Sequence, residues 1–281
     1  MAKVLIVGCG KLGLALGNRL TDLGHQVTGI KRQPPENSKP SFNLLAADIT
    51  SARDLRALDD DFEYLFFIVS PGERTEMAYR RVYGTGLNLL LDRFERNDHP
   101  PQWLLVSSTS VYGQSQGEWV DENSPAEPEN ICSQFIREAE LKLMSQPQNH
   151  TIVRFSGIYG PGREYLIRTA KQAPVIQQEP PYYTNRIHQQ DCVAALEFLL
   201  EKRLAGVNLD ACYLLSDNDP APMWEVMTWL AQQMQVFGPV AKSVDTTSSM
   251  NKRCNNAKIK KLGYKFHYPS YREGYLDLIK S

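Results

Sequence analysis

The chain opens on four consecutive apolar residues, Val4-Leu5-Ile6-Val7, with no polar alternation, the pattern of a strand buried on both faces of a parallel sheet. A glycine-rich turn follows. Behind it Leu12, Leu16, Leu20 and Leu23 recur at helical spacing until Gly24 stops the helix. The same alternation continues. Gln26–Ile30 predicts a second strand and a third ends near Ala47-Asp48, while Ser51–Leu58 predicts a short helix. Tyr64–Val69 predicts another buried strand, closed by Ser70-Pro71-Gly72, and Pro34 to Pro40 reads as a proline-punctuated loop. Helical spacing returns from Thr75 to Arg96 with a break expected at Gly84-Thr85-Gly86, and Trp103–Val106 and Thr151–Phe155 predict further strands.

Apolar strands alternating with amphipathic helices indicate an α/β fold, a doubly wound parallel sheet with right-handed crossovers. From Tyr159 onward the alternation lapses. Gln172–Pro181 is proline-rich, Asp191 reads as the N-cap of a helix over Cys192–Lys202, and Met223–Gln235 predicts another helix. The expected organisation is a main domain over residues 1–158 and, over 159–281, a smaller C-terminal α/β substrate-binding lobe that returns helices and a strand to the first.

Gly8, Gly10 and Gly13 fit G-x-G-x-x-G, and they stand between a predicted strand and a predicted helix. That setting gives the motif a mechanism. A side chain at Gly8 or Gly10 would block a tight turn or hold a pyrophosphate off the backbone, and one at Gly13 would push helix from strand. Backbone N–H groups at Lys11 and Leu12 then face the phosphates, with the helix dipole adding roughly 0.3–1 kcal/mol. The first domain is therefore read as a Rossmann-type, NAD(P)-binding one. An NAD site would place Asp or Glu about 20 residues past the glycines. Lys31-Arg32 stand there instead, and two cations suit a 2′-phosphate, so NADP is preferred and NAD remains possible. Asp48-Ile49 could lie against the adenine, or Asp48 could cap the helix after it.

With 31 Lys+Arg against 32 Asp+Glu, the net charge of −1 supplies no basic field for nucleic acid or an anionic membrane. Cys9, Cys132, Cys192, Cys212 and Cys254 are scattered and odd in number, which suggests neither a disulfide framework nor a metal site. The first apolar run is too short for a signal peptide, and no segment reaches the ~18 apolar residues of a membrane span. A cytoplasmic location is expected.

Further motifs follow the later strands: Ser107-Ser108-Thr109-Ser110-Val111-Tyr112-Gly113, then Arg154-Phe155-Ser156-Gly157-Ile158-Tyr159-Gly160-Pro161-Gly162-Arg163. With the N-terminal glycines, Asn185-Arg186-Ile187-His188 and Lys261-Leu262-Gly263-Tyr264, they make nearly the whole chain resemble an extended short-chain dehydrogenase/reductase of the epimerase/dehydratase kind. The resemblance implies a serine or threonine after the fifth strand and a Tyr-x-x-x-Lys pair on the next helix. Ser108 matches the hydroxyl position. Counting back from Ala139-Glu140, the tyrosine position falls at or near Cys132 and the lysine position at or near Ile136, and neither side chain replaces its counterpart. No tyrosine has a lysine four residues later. Tyr159 with Arg163 and Tyr182 with Arg186 offer arginine, but the neighbouring glycines and prolines argue against the helix such a pair needs. The first glycine also departs from the G-x-x-G-x-x-G usual in extended members, since Val7 holds that place.

The resemblance implies an atypical branch, and several residues keep two readings. Ser108 either bonds a substrate or nicotinamide oxygen or satisfies backbone at a strand end. Tyr112 and Tyr159 either line the nicotinamide pocket or pack at the sheet edge. Arg163 and Arg186 either hold an anionic substrate group or brace a lid, and His188 is a substrate neighbour or a structural residue. Ser70, Ser107 and Ser156, at strand ends, complete the cofactor set. The expected function is an NADP-dependent oxidoreductase or epimerase/dehydratase-like enzyme for a small polar or nucleotide-linked substrate, as monomer or homodimer. The alternative is a non-catalytic NADP-binding sensor acting through a protein partner.

Overall fold

The computed structural model describes residues 1–35, 39–95, 97–244 and 250–280. Its N-terminal elements are β1 (Lys3–Val7), α1 (Lys11–Asp22), β2 (Gln26–Lys31), β3 (Asn43–Ala46), α2 (Ala52–Arg56) and β4 (Tyr64–Phe67). There follow α3 (Glu76–Tyr79), a π-helix (Arg80–Gly86), α4 (Leu87–Phe94), β5 (Gln102–Ser108), β6 (Glu118–Val120), α5 (Ile131–Met144) and β7 (Thr151–Phe155). The rest of the chain forms β8 (Gly157–Tyr159), α6 (Tyr165–Ala170), β9 (Val175–Glu179), β10 (Tyr183–Thr184), β11 (Arg186–His188), α7 (Gln189–Leu204) and β12 (Cys212–Leu215). It ends with β13 (Ala221–Pro222), α8 (Met223–Met234), β14 (Val240–Ser243), β15 (Lys252–Cys254), α9 (Ala257–Lys261) and α10 (Tyr271–Lys280). Residues 36–38 of the proline-punctuated loop and Arg96, the expected end of the long helical stretch, lie outside the described residues.

Seven strands form the main sheet in the order β12-β7-β5-β4-β1-β2-β3. β1 pairs in parallel with β2 on one side and β4 on the other, and β2 with β3 and β4 with β5 are parallel as well. Val4 to Val7 are fully enclosed in consequence, as their unbroken apolar run requires. Enclosing each such side chain contributes about 1.5–3 kcal/mol. Because the strand order reverses direction at β1, the sheet has its switch point there. Ligands of open α/β sheets bind outside the C-terminal ends of the strands at that point.

The chain divides into two compact units. One comprises 1–111, 128–153 and 193–212; the other comprises 112–127, 154–192 and 213–281. The second unit is built from strand pairs rather than one large sheet: β6 with β15, β8 with β11 and β9 with β14 in parallel, and β10 with β13 antiparallel. Its apolar core gathers Tyr159, Ile167, Val226, Leu230, Tyr271 and Tyr275. α8 covers the span its pattern predicts and stops where Gln235 turns left-handed at φ 55°.

Three local expectations are corrected. The helix does not break at Gly84-Thr85-Gly86; it widens into the π-helix, and Gly86 is small because a Cβ there would lie 2.6 Å from Ile49 Cδ1. The N-cap of α2 is Ser51, whose Oγ accepts from Asp54 N at 3.3 Å, so Asp48 does not hold that role. Asp191 does not cap α7 but lies in its first turn, and its carboxylate accepts from Tyr264 Oη and His267 N at 2.8 Å and from Tyr268 N at 2.9 Å.

Asp191 thus holds three donors from the segment before α10. Asp191→Ala should leave them unpaired and cost about 3 kcal/mol or more in urea denaturation. A loss under about 1 kcal/mol would mean that water replaces the carboxylate and that the contact is peripheral.

Candidate cofactor-binding site

The three glycines of the turn are small for different reasons. Gly8 sits at φ +101°, where a Cβ would lie 2.8 Å from the backbone carbonyl of Ile68, so both conformation and space demand glycine. A Cβ on Gly13 would run into the carbonyl of Gly8, which is how α1 comes so close to the end of β1. Gly10 is the exception. Nothing lies within 4 Å of the position its Cβ would take, so this side of the turn is open. Gly10 is also the N-cap of α1 and supplies no side-chain bond to the helix start, the kind of end that suits an anion. Leu12 anchors the helix in the core while Lys11 stays exposed. An open cradle over an uncapped helix start fits a dinucleotide's pyrophosphate. Cys9, inside the turn, is buried with Sγ 3.6 Å from Ile6 O, and burial pushes its thiol up to about 12, so it is chemically quiet.

Lys31 closes β2 opposite Ala46, and its carbonyl accepts from Ala47 N at 3.1 Å. Lys31 is partly exposed and Arg32 exposed. Asp48 follows on the adjacent strand end. Its Oδ1 accepts from Thr50 N at 2.9 Å and Thr50 Oγ1 at 2.7 Å, and its Oδ2 accepts from Arg81 Nη2 at 2.8 Å. Partial burial, the largest influence, pushes this carboxyl up, but the Thr50 bonds and the charges of Arg81 and Arg32 together hold it below the usual range. Ile49 is buried, and Ser70 is exposed beyond the end of β4.

At the end of β5 the two serines diverge. Ser107 is buried and donates through Oγ to Glu140 Oε1 at 2.5 Å, while Arg137 Nη1 meets Glu140 Oε2 at 2.7 Å. Glu140 is 0% exposed, so this ion pair and serine bond compensate a fully desolvated carboxylate. Ser108 is partly exposed, and its Oγ accepts from Ser110 N at 3.1 Å. Cys132 lies in the first turn of α5, where Asn130 Oδ1 accepts from its N–H at 3.0 Å; Ile136, one turn on, is buried. Sequence reasoning used Glu140 only as a landmark and did not single out Arg81.

The candidate residues of the second unit are mostly enclosed. Tyr112 is buried, donating through Oη to Asp121 O at 2.7 Å and accepting from Arg154 Nη1 at 2.9 Å, with Lys252 Nζ on its carbonyl at 3.1 Å. His188 is buried against Tyr268 (3.9 Å between ring centres) and Tyr159 (5.2 Å); burial lowers its imidazole, and its Nδ1 accepts from Gln190 N at 3.3 Å. Arg186 is buried over the Tyr271 ring at 5.2 Å and bonds Thr184 Oγ1. Arg163 alone among these is exposed. Near Arg186 several buried polar atoms have no partner among the described residues: Arg186 Nε, Tyr159 Oη, Asp217 Oδ2 and Ser156 Oγ. Asp217, absent from the sequence reading, is pushed up to about 8 by burial, with Arg186 pulling the other way. A strand-end acid with no motif around it carries no sequence signal for such a shift.

A cleft lined by Asp60, Asp61, Phe62, Tyr64, His99 and Gln102 opens at the start of β4 and β5, the sheet edge opposite the glycine turn. Among the described residues no group of His, Cys, Asp or Glu could hold a metal ion, and no helix is long and apolar enough to cross a membrane.

The sequence pattern of the NAD dependent epimerase/dehydratase family matches residues 4–208. A solved structure described as a putative NAD-dependent epimerase/dehydratase from Methylobacillus flagellatus is 35% identical, with 99% of this chain and 98% of that one covered and a TM-score of 0.83. Protein YeeZ of Escherichia coli (strain K12) is 28% identical over 221 residues, 75% of this chain and 78% of YeeZ. A UDP-glucose 4-epimerase from Thermotoga maritima, solved with UDP-glucose, shares the fold at a TM-score of 0.81 and 15% identity, covering 99% and 97% of the two chains.

Two outcomes follow from the local geometry. Gly8→Ala should cost about 1–3 kcal/mol in urea denaturation through backbone strain, whereas Gly10→Ala should stay within about 0.5 kcal/mol of the parent; equal losses would contradict the assignment of Gly10 to open space. Asp217 keeps its proton in the fold up to about pH 8 but releases it near the ordinary carboxylate value once unfolded, so its burial penalty is absent in acid and grows as pH rises. Asp217→Asn should therefore match the parent at about pH 4 and exceed it by on the order of a few kcal/mol at about pH 8. A difference that does not change with pH would show the carboxyl to titrate normally.

Proposed function

The chain belongs to the NAD dependent epimerase/dehydratase family, and we propose that within it the protein is an NADP-dependent oxidoreductase or epimerase/dehydratase-like enzyme for a small polar or nucleotide-linked substrate. One observation carries the cofactor preference: Lys31 and Arg32 stand at the end of β2, where an NAD site would carry an acid, and the nearby Asp48 already has both carboxylate oxygens occupied. The glycine turn would hold the pyrophosphate through the first N–H groups of α1, and Lys31 and Arg32 would hold the 2′-phosphate. NAD, the cofactor in the family's name, is the alternative.

When bound, the nicotinamide supplies a hydride donor or acceptor. On the protein side Ser108 would orient the reacting oxygen, its Oγ already directed by Ser110 N. On the reading that the family's tyrosine and lysine places fall at or near Cys132 and Ile136, a thiol residue capped into α5 and a buried apolar one, proton transfer would need an atypical agent. Arg163 is the exposed candidate for an anionic substrate group. The UDP-glucose in the Thermotoga maritima epimerase is a fold-level precedent for a nucleotide-linked substrate. Five free thiols and a near-neutral charge favour a cytoplasmic protein that works on small molecules rather than nucleic acid, as monomer or homodimer. The Cys132 and Ile136 pair favours a second reading, a non-catalytic NADP sensor that acts through a protein partner.

Calorimetric titration with NADPH and NADH tests the first reading. NADPH should win by ten-fold or more, about 1.4 kcal/mol, and Lys31→Ala/Arg32→Ala should erase the margin. Gly10→Asp should keep the fold and abolish binding of both, since it puts a carboxylate where the pyrophosphate would lie; unchanged affinity would refute the loop assignment. Hydride transfer that Ser108→Ala removes would exclude the sensor, and tight binding with no turnover on carbonyl and sugar-nucleotide panels would favour it.

A further inference from the structure

Asp48 poses a problem for the NADP reading. The register that sets Lys31 opposite Ala46 brings the chain after each strand to the same sheet edge, so Asp48 lies close enough to Arg32 for the two charges to interact. A 2′-phosphate arriving at Lys31 and Arg32 would meet a carboxylate beside them. Left unpaired, that carboxylate would favour the dinucleotide that lacks the phosphate.

Arg81 answers both points. It is the second residue of the π-helix, and its neighbour Arg80 turns back along the helix to Glu76, whereas Arg81 reaches across to the loop after β3. Its Nη2 donates to Asp48 Oδ2 at 2.8 Å, and Nε and Nη2 reach Thr50 Oγ1 at 3.2 and 3.1 Å. Thr50 in turn occupies Asp48 Oδ1 through both its N–H and its hydroxyl. Both oxygens of the acid are engaged and its charge is matched. Widened π turns occur mostly at functional sites, and this one presents a cation sideways to the strand ends.

We infer that Arg81 is a specificity-determining residue, which selects the phosphorylated dinucleotide by neutralising Asp48 beside Lys31 and Arg32. The inference rests on the NADP reading of that site. Removing Arg81 frees Oδ2, and the freed carboxylate then repels a 2′-phosphate, which favours NADH.

The test is calorimetric titration of the full-length protein with NADPH and NADH in four forms: parent, Arg81→Ala, Asp48→Asn, and the double variant. Arg81→Ala should weaken NADPH ten-fold or more while NADH is held or tightened, and that NADH binding reports an intact fold. Asp48→Asn keeps the acceptor for Thr50 but removes the charge, so adding it to Arg81→Ala should restore NADPH to within about three-fold of the parent. Failure of that rescue overturns the inference, because Arg81 would then act on the phosphate itself or only on the fold. Equal losses for both nucleotides overturn it too. A parent that binds NADPH no better than NADH overturns the NADP reading and this inference with it, whereas a preference that survives Arg81→Ala overturns the inference alone.

Discussion

Backbone touching backbone at the end of β1 is the constraint on which the first unit depends. Gly8 packs against the chain leaving β4, and Gly13 brings α1 onto the carbonyl of Gly8, so strand, turn and helix meet with no side chain between them. This contact sets where the helix starts and therefore where its first N–H groups point. Gly10 answers to a different demand, since the fold leaves its surroundings empty. Two glycines are demanded by packing, and one stands in open space.

Elsewhere the molecule is organised by buried charge. Glu140 binds Ser107 and Arg137 in the first unit. In the second, Asp191 gathers the segment before α10 and Lys252 ties β15 to the carbonyl of Tyr112. Each such group is expensive to desolvate, and each is matched by specific donors or acceptors, so it favours one arrangement of loops over others that apolar packing alone would tolerate. The region of Arg186 and Asp217 is matched less completely, with partnerless atoms on Arg186, Tyr159 and Asp217. Its polar groups are the natural places for enclosed water.

The central strands β1, β2, β4, β5 and β7, with α1 and α8, were legible because burial on one or both faces leaves an apolar periodicity, and the glycine turn was legible because its geometry tolerates few alternatives. What stayed hidden depends on contacts between distant segments. Gly84-Thr85-Gly86 looks like a break by local propensity, yet the helix runs on through a π-helix whose Gly86 lies close against Ile49. Asp191 looks like a cap, but its acceptors are used by residues more than seventy positions on. The ion pair of Arg81 with Asp48 spans two elements and leaves no periodic trace. Tyr112 and His188 sit in recognisable motifs, and sequence could not show that both are enclosed.

The two units are each assembled from three separate stretches of chain, so the polypeptide passes from one to the other five times. Neither unit corresponds to a contiguous piece of the gene. Fusion, duplication or loss of a single coding segment therefore cannot exchange one unit while sparing the other. New specificity in such a protein has to arise in place, by substitution, rather than by the shuffling of modules.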